Sequence, residues 1–301
     1  MIGRQRVLVT GASGFLGRAV VEASARAGLA VTATSRVSMS AQPAINGVDY
    51  VDVGDIHADT DWTSALQDVD VVIHTAGVLQ GVNAETLTRV NVEGTDCLAR
   101  HCVTRGVRRF VFVSSLGVHG SRGSNRAIRA DDPLLPYDAY TQSKAEAEAR
   151  IRSVFLGAST DWVIVRPPLI YGPQAHGTTR RMAQVLRLRL PLPLAAIRNR
   201  RSAISVRHLA EFLVYVLTCR EASNRAWLVA DECDYSSLEL FERVARVFGY
   251  PCRAFSCPES WLRRVGYALQ LGREVDQLTQ SLFIDRSAIR EQLSWPTSGS
   301  E

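Results

Sequence analysis

A tyrosine and a lysine stand four residues apart, Tyr140 and Lys144, in a strongly helical stretch from Tyr137 to about Ser153. On a helix that spacing puts both side chains on one face. An ammonium beside a phenol favours the phenolate and lowers the phenol pKa; it can also donate to ribose hydroxyls. A phenol tuned in this way exchanges a proton with an alcohol or a ketone while hydride moves at the same carbon. Ser115 follows the apolar run Arg109–Ser114 and would offer a hydroxyl to the same substrate oxygen. The lysine is conspicuous on composition alone, since 34 of the 35 basic residues are arginine and one is lysine. A wide planar guanidinium does not replace a compact ammonium in a slot of this kind.

Hydride chemistry needs a carrier, and the N-terminus has the elements to hold one. Val7-Leu8-Val9-Thr10 reads as a strand, Gly11-Ala12-Ser13-Gly14-Phe15-Leu16-Gly17 as a tight turn, and residues 15–27 as a helix. Gly11 and Gly14 permit a close approach that a Cβ would forbid, and Gly17 lets helix and strand pack closely. The unpaired N–H groups and the positive end of the helix then favour a pyrophosphate over the turn. The spacing is G-x-x-G-x-x-G, distinct from the common dinucleotide fingerprint. Ala30–Ser35 is the second expected strand. An acid at its end would suit the 2′-hydroxyl of NAD and an arginine the 2′-phosphate of NADP; with Ser35-Arg36 and no acid before Asp49, NADP(H) is favoured over NAD(H). After a third strand at 48–53, Asp55 and Ile56 either meet the adenine, by its amino group and ring face, or merely end a strand. The fourth strand, Asp70–His74, leads into Thr75-Ala76-Gly77, small enough to let the backbone approach a dinucleotide. Asn91, in a helix expected over 85–105, reads as a structural polar bridge rather than a ligand.

The fifth and sixth strands are expected at Arg109–Ser114 and Asp161–Arg166, near-continuous apolar runs suited to a parallel sheet buried on both faces. This alternation predicts an α/β, Rossmann-type doubly wound sheet. The dinucleotide domain is expected over residues 1–168, with some later segments returning to it. Residues 169–301 should form mainly a smaller, mostly helical substrate lobe, with helices near 178–189, 207–219 and 236–248, a strand at 226–230 and an amphipathic run from Pro258. Apolar content of 46% and charged content of 22% suit a soluble globular chain. No apolar run reaches the roughly eighteen residues of a membrane span, and the N-terminus runs into a strand rather than a signal peptide. Six cysteines without paired spacing read as free thiols of a cytoplasmic protein, and no metal site is expected. The net charge of +5 suits an anionic small molecule, and no nucleic-acid module is present. The arginines between 180 and 201 alternate with leucine and proline, a pattern read as a pocket wall with solvated arginines rather than as a surface for anionic lipid or nucleic acid.

TGASGFLG, VSSLGVHG, YTQSK and RPPLIYGP, in this order and spacing, resemble the extended short-chain dehydrogenase/reductases, including the NAD-dependent epimerase/dehydratase group that acts on nucleotide sugars. The resemblance runs to about Trp295. It implies Ser115, Tyr140 and Lys144 as catalytic residues, Gly11, Gly14 and Gly17 at the pyrophosphate, and Pro167 beside the nicotinamide. Ser13, Phe15 and Leu16 belong to the same turn. Arg201, in Asn199–Val206, matches the arginine that grips the diphosphate of a UDP-sugar, a task for bidentate guanidinium donors. Arg290 is either a second phosphate contact or a surface helix arginine. Thr178 stands where an asparagine often contacts the nucleotide, His119 where tyrosine is common, and His208 where a capping aspartate is usual. Family dehydratases place acids after the catalytic hydroxyl residue; Leu116 and Gly117 stand here instead. The expected reaction is therefore NADP(H)-dependent reduction of a 4-keto nucleotide sugar in polysaccharide assembly, with UDP-sugar 4-epimerisation as the alternative. A non-catalytic dinucleotide sensor is a third reading, opposed by retention of the single lysine. The resemblance leaves room for a homodimer.

Overall fold

The computed structural model describes residues 5–34, 45–79, 81–120 and 126–295. Strand β1 (Arg6–Thr10) and helix α1 (Phe15–Arg26) are followed by strands β2 (Ala30–Thr34), β3 (Val48–Val51) and β4 (Val71–His74) and then by helices α2 (Ala84–Leu87) and α3 (Gly94–Thr104). Strand β5 (Arg109–Val113), helix α4 (Ala139–Val154) and strand β6 (Asp161–Arg166) follow. One continuous parallel sheet results, ordered β3-β2-β1-β4-β5-β6-β9, where β9 is Arg225–Leu228. The central strands are apolar on both faces because each face is covered, whereas edge strand β3 exposes Asp49. Val7 and Val9 of β1 join Val20 and Val21 of α1 in one core, and Leu8 points through to the other, with Leu98, Phe112 and Ile151.

The second half of the chain contributes to both parts of the molecule. Beyond β7 (Leu169–Tyr171) and α5 (Gly177–Arg187), strand β8 (Ala203–Ser205) pairs with β7 in a separate two-stranded parallel sheet. Helix α6 (Val206–Tyr215) then returns to the main sheet, burying Leu209, Phe212 and Leu213 in the core it shares with α1. Helices α7 (Ser237–Phe248), α8 (Glu259–Ala268) and α9 (Gly272–Thr279) complete the lobe. Its own core gathers Tyr171, Met182, Leu186, Leu194 and Phe241.

The expected helix over 85–105 contains a π-helical stretch at Thr88–Glu93, which buries Asn91. The three-residue strands β7 and β8 and helix α9 are additions to the expected elements. Among the described residues no helix is long and apolar enough to cross a membrane.

Candidate active site

Everything expected to do chemistry lies at or beyond the C-terminal ends of the sheet strands. Ser115 follows β5 in extended conformation, and its Oγ accepts from the Gly117 N–H at 3.1 Å, capping a 3-10 turn over Leu116–His119. The Leu116 N–H donates to the Pro167 carbonyl at 2.8 Å, so the loop leaving β6 is tied to the serine turn. Helix α4 starts on a reciprocal cap: Asp138 accepts from the Thr141 N–H, and Thr141 Oγ1 accepts from the Asp138 N–H. This cap fixes the first turn, which carries Tyr140, and a turn later Lys144 points into the sheet edge.

Lys144 is buried. Its Nζ donates to the Val113 carbonyl at 3.0 Å and lies 4.7 Å from the centroid of the Phe112 ring. Burial pushes its pKa down to about 8, opposed by the Glu148 carboxylate one turn along the helix. Tyr140 departs from the sequence expectation. Its phenol is pushed up, first by burial and then by Asp138 and Tyr137, while a hydrogen bond with Ser115 pulls it down. Lys144 is not among the groups that shift it; the ammonium donates to the Val113 oxygen and lies over the Phe112 face.

The glycine turn meets the test of a pyrophosphate cradle. Gly11 has φ +69°, and an added Cβ would lie 2.8 Å from Ala76 Cα. At Gly17 an added Cβ would lie 2.0 Å from the Gly11 carbonyl oxygen, so only glycine lets α1 seat this closely. Helix α1 opens at Gly14 with no side-chain cap and no acid in its first turn, which leaves its N–H groups for an anion. Ser13, Phe15 and Leu16 lie in or just after that turn. Opposite it, Thr75 Oγ1 donates to the Thr10 carbonyl at 2.6 Å and the Ala76 N–H donates to Thr10 Oγ1 at 3.2 Å. Gly77 packs so closely that an added Cβ would lie 3.3 Å from Lys144 Nζ, joining the dinucleotide side of the cleft to the lysine.

A buried relay fixes the geometry beneath the cleft. Thr10 Oγ1 donates to His74 Nδ1 at 2.7 Å, and His74 Nε2 donates to Thr95 Oγ1 at 3.0 Å, because Thr95 itself donates to the Asn91 carbonyl. Burial and the Lys144 charge lower the His74 pKa to about 3, consistent with a neutral ring. Asn91 binds both backbone groups of Val78, and its Nδ2 donates to Ser143 Oγ at 3.0 Å. It is the structural bridge the sequence suggested.

The remaining site residues divide by environment. Asp55 is exposed, while Ile56 is buried with its side chain against Gly94. Arg36, on which the NADP(H) expectation rests, lies outside the described residues, as does Ser35. Arg201 is half-buried and donates to the carbonyls of Gln277 at 2.7 Å and Gln280 at 3.2 Å. Burial lowers its pKa and Tyr137 raises it. Thr178 is exposed in the first turn of α5, and Arg290 is exposed, 3.8 Å from Glu232.

Two features were missed from the sequence. Tyr137 acts electrostatically on both Tyr140 and Arg201, and its ring lies beside Gly117, where an added Cβ would be 3.7 Å from Tyr137 Cε1. Its only signal was its place just before helix α4. Behind Ser115, Glu148 accepts from Ser114 Oγ at 2.6 Å and from Arg166 Nε and Nη2 at 2.9 and 2.6 Å. Arg166 Nη1 donates to His119 Nε2 at 2.9 Å, while His119 Nδ1 donates to the Pro133 carbonyl at 3.3 Å. His119, noted as a departure, completes this buried network. Among the described residues no group of three His, Cys, Asp or Glu side chains is placed to hold a metal ion.

A parallel sheet with a glycine-turn cradle, and a serine, tyrosine and lysine at its C-terminal edge, define a short-chain dehydrogenase/reductase. A family model described as the NAD dependent epimerase/dehydratase family matches residues 7–230, and the chain belongs to that family. It is 31% identical over 299 residues to a UDP-glucose 4-epimerase from Vibrio cholerae, covering 96% of this chain and 90% of the relative. It is 27% identical to an Escherichia coli O157:H7 N-acetyl-alpha-D-glucosaminyl-diphospho-ditrans,octacis-undecaprenol 4-epimerase, over 79% of this chain and 71% of that one. The fold matches the crystal structure of UDP-glucuronic acid 4-epimerase from Bacillus cereus in complex with NAD, with a TM-score of 0.77 at 18% identity, covering 98% and 94% of the two chains.

Proposed function

We propose that the enzyme interconverts the configuration at C4 of a UDP-linked hexose. The observation that supports this reading is the hydrogen bond between Ser115 and Tyr140, with Tyr137 near enough to act on both Tyr140 and the half-buried guanidinium of Arg201. Arg201 holds the diphosphate by charge-assisted hydrogen bonds. The Ser115 hydroxyl orients the C4 oxygen, and Tyr140 takes and returns its proton. Lys144 secures the ribose of the dinucleotide from its position beside Gly77. When bound at the glycine turn, the dinucleotide supplies the hydride acceptor and, when oxidised, a positive charge that opposes the upward push on the phenol. The likeness over nearly the whole chain to the Vibrio cholerae epimerase puts epimerisation ahead of the 4-keto reduction first expected.

A second reading, NADP(H)-dependent reduction of a 4-keto sugar, is favoured by one observation: Arg36 follows β2 closely and no acid stands between it and Asp49. Incubation with UDP-glucose, UDP-galactose and their N-acetyl counterparts, and separately with a UDP-linked 4-keto hexose, with and without added NAD(H) or NADP(H), separates the two. A C4 epimer formed with no net cofactor change supports epimerisation. Stoichiometric consumption of NADPH with a 4-keto sugar supports reduction, and turnover of neither substrate type overturns both.

A further inference from the structure

The far side of the lobe carries a face that the oxidoreduction chemistry does not use. Helix α8 turns Leu262 into the lobe core and buries Gly266 against Val275 of α9, where an added Cβ would lie 2.3 Å from a valine methyl. Its other face presents Trp261, Val265 and, just past its end, Leu269, one turn apart and 62%, 48% and 63% exposed. The segment after α5 adjoins it: the Leu192 N–H donates to the Arg253 carbonyl and the Phe255 N–H to the Leu192 carbonyl, both at 2.9 Å. In that segment Leu188 and Leu190 are 65% and 63% exposed, and Phe255, also exposed, leads into α8. The pocket wall expected of these leucines is therefore only partly formed. Leu192 and Leu194 turn inward, and Leu188 and Leu190 face solvent.

Single exposed apolar residues need no explanation, but two exposed apolar sets on segments tied together by backbone hydrogen bonds do. The charge around this set indicates its partner. Between Asp161 and Glu211 the sequence holds nine arginines and no acidic residue. Arg166 is buried on Glu148, Arg200 and Arg207 pair with Asp234 and Glu211, and Arg201 is held by the Gln277 and Gln280 carbonyls, so the charges that flank this set are those of Arg187 and Arg189. Arg187 and Arg189, which alternate with Leu188 and Leu190, are exposed, as is Arg253, and none of the three has an acidic partner among the described residues. A second copy meeting this face across a two-fold axis would set arginine against arginine. A surface of acyl chains beneath anionic phosphates satisfies the apolar and basic groups together.

We propose that this face docks peripherally on an anionic lipid bilayer. The docked surface adjoins the active site through α9, which packs on α8 and whose Gln277 carbonyl, with that of Gln280, holds Arg201. The proposal does not depend on the sugar or on the direction of the reaction.

Co-sedimentation of the full chain with vesicles of phosphatidylglycerol and phosphatidylcholine, against phosphatidylcholine alone, tests it. The anionic vesicles should bind the protein, salt should weaken binding, and brominated acyl chains should quench Trp261. The double substitution Leu188→Ser with Leu190→Ser, and separately Trp261→Ser, should each weaken binding by about tenfold or more. Both variants replace exposed side chains outside the cleft and should keep turnover of a soluble UDP-sugar. Failure to bind anionic vesicles, equal binding to neutral ones, or equal binding by the variants overturns the proposal. So does concentration-dependent self-association that the same substitutions abolish in the absence of vesicle binding, which would assign the face to a second copy.

Discussion

Replacing Lys144 by methionine keeps most of the side-chain length and removes the charge, so it reads how much the fold disfavours a buried ammonium. The folded pKa lies at about 8, below the ordinary lysine value of 10.5. Below pH 8 the folded protein bears the full cost of the buried charge. Between pH 8 and 10.5 the unfolded chain keeps a proton that the folded chain has released, so stability rises with pH across that window. The difference corresponds to about 3 kcal/mol. The variant also loses the hydrogen bond to the Val113 carbonyl, and this shifts its absolute stability in the opposite sense at every pH. The informative quantity is therefore the pH dependence of the difference between parent and variant. Urea unfolding of both cofactor-free proteins at pH 7 and pH 10 measures it, because the groups common to both cancel. The parent should gain about 2–3 kcal/mol on the variant between these two pH values. Parallel stability curves would refute the placement of a charged Lys144 in a desolvated slot.

Gly17→Ala should lower stability by about 1–3 kcal/mol through overpacking against the Gly11 carbonyl and weaken dinucleotide binding. Thermal melts and fluorescence titration with NAD(H) check both effects. Arg201→Ala should weaken UDP binding by roughly ten- to hundred-fold while leaving dinucleotide affinity unchanged; equal UDP affinity by calorimetry would remove Arg201 from the site. Glu148→Gln leaves the Arg166 charge buried without its carboxylate and should cost about 3–5 kcal/mol, read by denaturant unfolding. Tyr140→Phe should abolish turnover and retain the dinucleotide, as judged by a turnover assay beside a binding titration.

The candidate site residues were legible because their signals are local. Tyr140 and Lys144 share a face by helical spacing, Ser115 ends an apolar strand, and the glycines of the turn follow one directly. The strand runs of the main sheet were equally plain, since a strand buried on both faces must be apolar at successive positions. Short elements left too little pattern: β7 and β8 have three residues each, and the π-helical stretch around Asn91 looks like ordinary helix. The return of α6 and β9 to the main sheet was indicated only in outline. Which later segments go back is decided by packing against α1 and pairing with β6.

Tertiary structure alone decided the environments. The helical spacing of Tyr140 and Lys144 implied a lowered phenol pKa, but burial, with Asp138 and Tyr137, pushes it up. Glu148, Arg166 and His119 lie on three separate segments, so no spacing announces their network. The same holds for the influence of Tyr137 on both Tyr140 and Arg201. In the Leu/Pro-rich link, leucines of like type turn opposite ways because only Leu192 and Leu194 have a core to enter. Type and spacing are properties of the chain; desolvation and neighbours are properties of its packing, and the pKa values, the shape of the cleft and the exposed face follow from those.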